Sequence, residues 1–138
     1  MGLNDRDRDV LRGLAEEQAA IASLPTHAVT ADLWRRLNGL QPTRPLVWIN
    51  EIPWNEMDFE EELTLGTTDP WARGQELGLR RMLYQWRHMP GDMVVDGYMT
   101  CPQVVHSTGF GISEQADIVR TDDTSGIVSR QFHPQIVE

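Results

Sequence analysis

The spacing of apolar residues in the first third of the chain predicts two amphipathic helices. The first runs from Asn4 to Ser23, with Asn4 or Asp5 as its N-cap, carries acidic residues in its first turn and ends before Pro25. The second is shorter and is expected from Thr30 to Asn38, where Gly39 supplies the usual C-terminal stop.

The middle of the chain combines one continuously apolar segment with one strongly periodic helix. Residues 46–52 are rich in β-branched and aromatic side chains, which is typical of a strand buried on both faces. Asp69-Pro70 is a helix start, and apolar residues then line one face until Pro90-Gly91 interrupts the pattern. Residues 54–66 mix the two periodicities and predict no regular element.

The last third of the chain is rich in strand-forming residues. Residues 93–95 and 98–105 are predicted strands, and Asp96-Gly97 between them suits a tight type I′ turn. A second hairpin is expected from residues 116–120 and 127–132. The order helix, helix, strand, helix, strand, hairpin predicts an α/β fold in which a right-handed crossover joins parallel strands.

Composition and charge exclude several classes of function. The chain has 138 residues, 12 basic and 21 acidic side chains and a net charge of −9, which disfavours binding to nucleic acid or to an anionic membrane. All basic residues are arginine, so lysine chemistry such as a Schiff base is excluded. Cys101 has no partner for an internal disulfide, and no segment has the roughly 20 apolar residues of a spanning helix. We therefore expect a cytoplasmic protein.

Residues 31–48, ADLWRRLNGLQPTRPLVW, resemble the opening of uroporphyrinogen decarboxylase-like proteins. In that superfamily a short amphipathic helix ends in a glycine, a connector with basic residues and proline follows, and an Arg-x-Pro-Val-Trp-like sequence enters the first barrel strand. Residues 111–137 also resemble the hairpin that the family carries after its second strand. Together these segments correspond to the first third of a family member.

The resemblance implies the N-terminal part of a TIM (β/α)8 barrel, whose active site lies at the C-terminal ends of the strands. Residues 1–42 would form leading helices, and residues 43–138 the first strands, a helix and the hairpin. Family members decarboxylate a porphyrinogen, or move methyl groups between small substrates and a corrinoid protein, commonly with zinc.

The residues after the first predicted strand favour methyl transfer. Decarboxylases of the family hold substrate carboxylates with an arginine-rich loop, whereas this chain has Glu51 and Glu56 there. Acidic side chains repel a polycarboxylate. The resemblance therefore implies a methyltransferase segment that acts on a small methylated substrate, with a decarboxylase segment as the weaker alternative.

Three candidate site residues lie where the first predicted strand leaves the sheet or just after it. Asn50 and Glu51 are expected to meet the substrate as hydrogen-bonding groups, with Glu51 also a possible base or ligand, and the alternative for both is a solvated loop. Trp54 is expected to form a wall for a methylated aromatic or ammonium substrate, and the alternative is core packing.

Three further candidates flank the end of the second predicted strand region. Asp96 and Tyr98 are assigned to substrate binding, and His106 to proton transfer, with a backbone-bonded loop histidine as the alternative. Cys101 and His106 have no recognised zinc spacing, and the zinc ligands of the family lie in the second half of the barrel. No metal ligand is therefore assigned, and we expect no cofactor bound by this segment alone, although full-length relatives use zinc and a corrinoid partner.

A chain of this length also fits a different interpretation. It is long enough for a complete small α+β domain, which would be a binding or interaction module without catalysis. As a barrel segment it is instead expected to be inactive alone and to self-associate through uncovered sheet edges.

Overall fold

The structure, a computed structural model, describes residues 2–57, 61–100, 105, 114–120 and 127–134, without the side chains of residues 120, 127 and 128. Two compact units are present, Met1–Met99 and Thr100–Glu138. The first contains α1 (Asp5–Ala22), α2 (Pro25–Asn38), a short 3-10 turn (Trp54–Glu56) and α3 (Pro70–His88). The second contains the strands β1 (Ala116–Arg120) and β2 (Ile127–Phe132). The described chain thus mixes helices with a small antiparallel sheet, which is compatible with the α/β class and equally with a small α+β domain.

Helices α1 and α3 begin at their predicted capping residues. The Asn4 side chain accepts a hydrogen bond from the N–H of Asp7 at 2.8 Å. The Asp69 carboxylate accepts from the N–H groups of Trp71 and Ala72 at 2.9 and 3.1 Å. Each cap satisfies donors that have no acceptor inside the helix. Both predicted helices are confirmed.

Helix α2 begins at Pro25 and not at Thr30 as predicted. Proline at the first helical position has no N–H to leave unpaired and already has a helical φ, so it starts this helix instead of only ending the previous one. The longer helix includes His27, which is buried. The predicted end at Asn38, followed by Gly39, is confirmed.

The core of the first unit is built mainly on α3, against which α1 packs. Buried apolar side chains recur along α3 at helical spacing, and loop residues on both sides of the helix complete the core. These side chains are Leu63, Ala72, Leu79, Leu83, Tyr84, Met93 and Val95.

The strands predicted at residues 46–52 and 93–95 are absent, because neither segment forms a ladder. A strand needs a neighbouring strand for its N–H and C=O groups, and here other groups make hydrogen bonds with these segments. Gly97 lies in a bend, and no hairpin forms at Asp96-Gly97. The strand predicted over residues 98–105 lies partly outside the described residues, and its described part has no regular structure.

The second predicted hairpin is confirmed, with both strands at their predicted bounds. β1 and β2 pair antiparallel, with Ala116 opposite Phe132 and an irregularity between Val119 and Arg120. This pair is the only sheet within the described residues.

Candidate functional site

A salt bridge joins the segments that precede and follow α3. Arg44 donates two hydrogen bonds to the carboxylate of Asp92, and the Val47 N–H donates to the same carboxylate at 2.8 Å. In return, the Asp92 N–H donates to the Val47 carbonyl at 2.9 Å. Gly91 has φ +51°, and a Cβ there would lie 2.9 Å from the Val47 oxygen, so this approach requires glycine. The two segments are therefore in direct backbone contact.

The Arg44–Asp92 pair should make stability depend on pH. Hydrogen bonds from Arg44 and from the Val47 N–H lower the pKa of Asp92 from 3.8 to about 2. Because the folded pKa is the lower one, this stabilisation is complete above the unfolded pKa and is lost as pH falls through about 2. Below about pH 4, we expect the urea midpoint of the wild type to fall more steeply than that of Asp92→Asn. Equal steepness in the two proteins would contradict this role for Asp92.

Side chains of α2 make hydrogen bonds with the segment that follows Gly91. The Trp34 indole N–H donates to the Asp92 carbonyl at 2.8 Å, and the Val95 N–H donates to Nδ1 of His27 at 3.2 Å. The His27 ring lies 4.7 Å from the ring of Trp86. These contacts use backbone groups that a neighbouring strand would otherwise engage.

Asn50 and Glu51 lie on the surface just after Val47, in the segment that precedes α3. Both residues are exposed, and neither side chain has a hydrogen bond or ion pair within the described residues. Gln85 of α3 fixes the preceding residue by donating to the Ile49 carbonyl at 2.9 Å. An amide and a carboxylate are thus presented to solvent at a position that α3 anchors.

Trp54 is held against one face of α3. Its ring meets the ring of Tyr84 edge-on, with centroids 6.2 Å apart. The Tyr84 hydroxyl donates to the Met57 carbonyl at 2.7 Å, which ties the short turn to the helix. The Arg81 guanidinium lies over the Trp54 ring, 5.2 Å from its centroid, which is a cation–π distance. We call Trp54, Arg81 and Tyr84 the Trp54 cluster.

The Trp54 cluster combines packing with an accessible charged group. Tyr84 is buried, whereas Trp54 and Arg81 are half-buried. The Trp54 ring therefore packs against α3 and keeps part of its surface exposed to solvent. Arg81 and Tyr84 were not predicted as site residues. Their spacing in the sequence places them on one helix face, but no local signal shows that residues 53–57 cover that face.

Asp96 and Tyr98 are brought together on the surface of the same unit. A hydrogen bond between the Tyr98 hydroxyl and the Asp96 carboxylate raises the pKa of Tyr98. Gln18 of α1 donates to the carbonyls of both residues, at 2.7 and 3.3 Å. No hydrogen bond between described residues links this pair to the Trp54 cluster or to Glu51. The remaining candidate, His106, lies outside the described residues, as does Cys101.

Two buried carboxylates that the sequence did not single out fix the loop before α3. Asp7 accepts from the N–H groups of Thr68 and Asp69 at 3.0 and 2.8 Å. Glu76 accepts from the N–H groups of Gly66 and Thr67, both at 2.9 Å. Both acids have 0% of their surface exposed. The partners of Asp7 are backbone groups 61 and 62 residues away, so no residue pattern in the sequence marks the contact.

The described part of the chain contains no group of three His, Cys, Asp or Glu side chains that could hold a metal ion. Within that same part, no helix has the length and apolar character needed to cross a bilayer.

Comparison with protein-family models, with curated proteins and with solved structures finds no match to this chain.

Proposed function

We propose that this chain is the N-terminal segment of a uroporphyrinogen decarboxylase-like methyltransferase, which acts on a small methylated substrate together with a corrinoid protein. The resemblance of residues 31–48 supplies the family. The structural observation that carries the proposal is the backbone hydrogen bond from Asp92 to Val47, at 2.9 Å. It places the segments on either side of α3 next to each other.

That contact suits a strand–helix–strand unit of a (β/α)8 barrel. In such a barrel α3 would be the crossover helix, and the two flanking segments would become neighbouring parallel strands once the remaining strands complete the sheet. Residues after adjacent parallel strands lie at the same end of the sheet. The barrel would therefore bring Asn50 and Glu51 to the same face as Asp96 and Tyr98.

The proposed roles follow from the chemistry of these side chains. Glu51 is exposed and is the proposed acid–base group. When the methyl group leaves a methylated thiol, amine or alcohol for the corrinoid protein, the sulfur, nitrogen or oxygen left behind takes a proton from the Glu51 carboxyl group, and in the reverse direction the Glu51 carboxylate removes that proton. Trp54 forms an apolar wall, and Asn50 orients the substrate by hydrogen bonding. Asp96 and Tyr98 contribute further hydrogen bonds.

Two parts of the proposal depend on residues beyond the described ones. His106 is assigned to proton transfer as a second titrating group. Zinc, when bound in the family, holds a thiolate or polarises an oxygen. The described residues provide no ligand cluster for it. We therefore assign no step to zinc in this segment.

The acidic character of this region supports methyl transfer over porphyrinogen decarboxylation. Glu51 and Glu56 are both exposed and lie on either side of Trp54 in the sequence. Several substrate carboxylates placed near them would be repelled.

Glu51→Gln in the enzyme encoded by the complete gene should lower kcat for methyl transfer about 100-fold, since a positioned acid–base group contributes roughly 100- to 10,000-fold. The enzyme is mixed with a corrinoid protein and with isotope-labelled methylated amines, alcohols and thiols, and NMR measures the demethylated product. As a control, Glu16→Gln removes the same charge from an exposed position of α1 and should keep the wild-type rate.

Each outcome of this experiment supports or rejects a defined part of the proposal. A folded wild-type enzyme that demethylates none of these compounds would reject the methyltransferase function. A Glu51→Gln variant that is as active as the wild type would reject only the role of Glu51. Release of carbon dioxide from a porphyrinogen would favour the decarboxylase alternative.

An exposed apolar pair favours a second candidate, a small α+β interaction module. Val47 and Trp48 have 54% and 55% of their surface exposed. Because they are adjacent in the chain, they form one exposed apolar patch. A module would use this patch to bind a partner, whereas a barrel segment would self-associate through it. Cooperative two-state unfolding of a monomeric chain supports the module. Oligomers in light scattering, with a broad transition and dye binding, support the barrel segment.

A further inference from the structure

Arg81 is a half-buried cation that has no acid partner in the described chain. Its Nε atom is buried without a hydrogen-bond partner. Burial lowers the pKa of Arg81. Removing a charge from water without a counter-charge is unfavourable, so an arginine in this state is a candidate for receiving its counter-charge from a ligand.

The lack of an acid partner distinguishes Arg81 from five other arginines of the same unit. Each of those is paired with a carboxylate: Arg8 with Asp5, Arg12 with Asp9, Arg44 with Asp92, Arg80 with Glu76, and Arg87 with both Glu17 and Glu62. Arg80 precedes Arg81 in the sequence, yet it is the one that reaches the buried acid, at 2.7 Å. The unit therefore has acids that pair with arginine, and Arg81 is not next to one of them among the described residues.

Trp54 gives the Arg81 guanidinium a defined position. The guanidinium lies 5.2 Å from the centroid of the Trp54 ring, over its face. A guanidinium in this position keeps N–H donors at its planar edge, and two parallel donors match the geometry of a carboxylate. A ligand carboxylate at that edge would also lie close to the aromatic ring.

We propose that Arg81 and Trp54 form a subsite for the carboxylate of a small substrate, so that the methylated molecule is a monocarboxylate. Arg81 donates to the carboxylate, and the Trp54 ring contacts the part that bears the methyl group. Glu51 and Glu56, which flank Trp54 in the sequence and are both exposed, disfavour a second negative charge on the ligand. The identity of the ligand as a substrate rests on the proposed function, whereas its binding is measured without methyl transfer.

Titration of the enzyme encoded by the complete gene with methoxyacetate, a methylated monocarboxylate, tests this subsite. Binding is followed at constant ionic strength by the NMR signals of the tryptophan indoles and arginine side chains. Arg81→Gln should weaken binding about tenfold, because it removes a charge-assisted hydrogen-bonding group. Arg81→Lys keeps the charge but not the planar edge, and should also bind more weakly than the wild type. Arg35→Gln removes an exposed charge from α2 and should bind like the wild type.

A matched pair of ligands keeps the test independent of how well the variants fold. Methoxyacetamide has the same shape without the charge and should bind at least tenfold more weakly to the wild type. Equal binding of acid and amide, no binding of the acid, tighter binding of inorganic phosphate, or unchanged affinity in Arg81→Gln would each overturn the subsite. An enzyme that binds methoxyacetate but transfers no methyl group from any donor rejects the proposed function and retains the subsite. An enzyme that transfers a methyl group but does not bind methoxyacetate rejects the subsite and retains the proposed function.

Discussion

Replacing Glu76 with alanine should lower the free energy of unfolding by about 3–5 kcal/mol, as expected when one partner of a buried ion pair is removed. Glu76 has 0% of its surface exposed, accepts from the N–H groups of Gly66 and Thr67, and pairs with Arg80 at 2.7 Å. The alanine variant leaves these donors without an acceptor and Arg80 without its counter-charge. Urea unfolding, fitted for both the midpoint and the slope, measures the loss.

Two comparisons show whether the loss comes from these contacts. Glu16→Ala removes an exposed carboxylate from α1 and should stay within about 0.5 kcal/mol of the wild type. Burial raises the pKa of Glu76, but its hydrogen bonds keep it below the ordinary value of 4.5. The difference between wild type and Glu76→Ala should therefore shrink as pH falls below about 4.5. A loss under about 1 kcal/mol would show that water satisfies these donors when the carboxylate is absent.

Elements with strong local signals were predicted correctly from the sequence. Asn4 and Asp69 cap α1 and α3 as their residue types predict, because the capping hydrogen bond is made to N–H groups of the helix turn that directly follows the capping residue. The hairpin of β1 and β2 was also predicted, since two short strand-forming runs enclose a polar loop within one stretch of chain.

Elements whose partners lie far away in the chain were predicted less well. Residues 46–52 are as apolar as a buried strand, but apolar character alone does not supply the neighbouring strand that makes a ladder. In the structure, the carboxylate of Asp92 and the side chain of Gln85 make hydrogen bonds with backbone groups of that segment. The start of α2 was missed for another reason: proline suits both the end of one helix and the first turn of the next.

The candidate site also contains residues that the sequence indicates and one that only the tertiary structure indicates. Asn50, Glu51 and Trp54 lie at or just after the end of an apolar segment, which makes them site candidates, and the structure places the first two on the surface and the third on α3. Arg81 could not be chosen in advance, since a helical arginine is usually solvated and only the tertiary structure brings it over Trp54. Its environment, and not its residue type, makes it a candidate binding group.

Leu83→Ala should cost about 2–5 kcal/mol in the free energy of unfolding, because it leaves a cavity in the core around α3. Leu83 has 1% of its surface exposed, the lowest value among the buried leucines of α3. The adjacent residue, Tyr84, belongs to the Trp54 cluster, so a cavity here also loosens the support of Trp54. We therefore expect a lower urea midpoint and, in the same protein, weaker methoxyacetate binding.

The size of the side chain decides the result at this position. Leu83→Met preserves most of the volume and should cost less than about 1.5 kcal/mol, because methionine can fill the space that alanine leaves empty. Val29→Ala shortens an apolar side chain that is 63% exposed on α2 and should change stability by no more than about 0.5 kcal/mol. If Leu83→Ala were no more costly than Val29→Ala, the region around Leu83 would have to collapse without loss of contacts, and α3 would not be the centre of the core. A large loss of stability with unchanged methoxyacetate binding would instead separate the support of Trp54 from the packing beneath it.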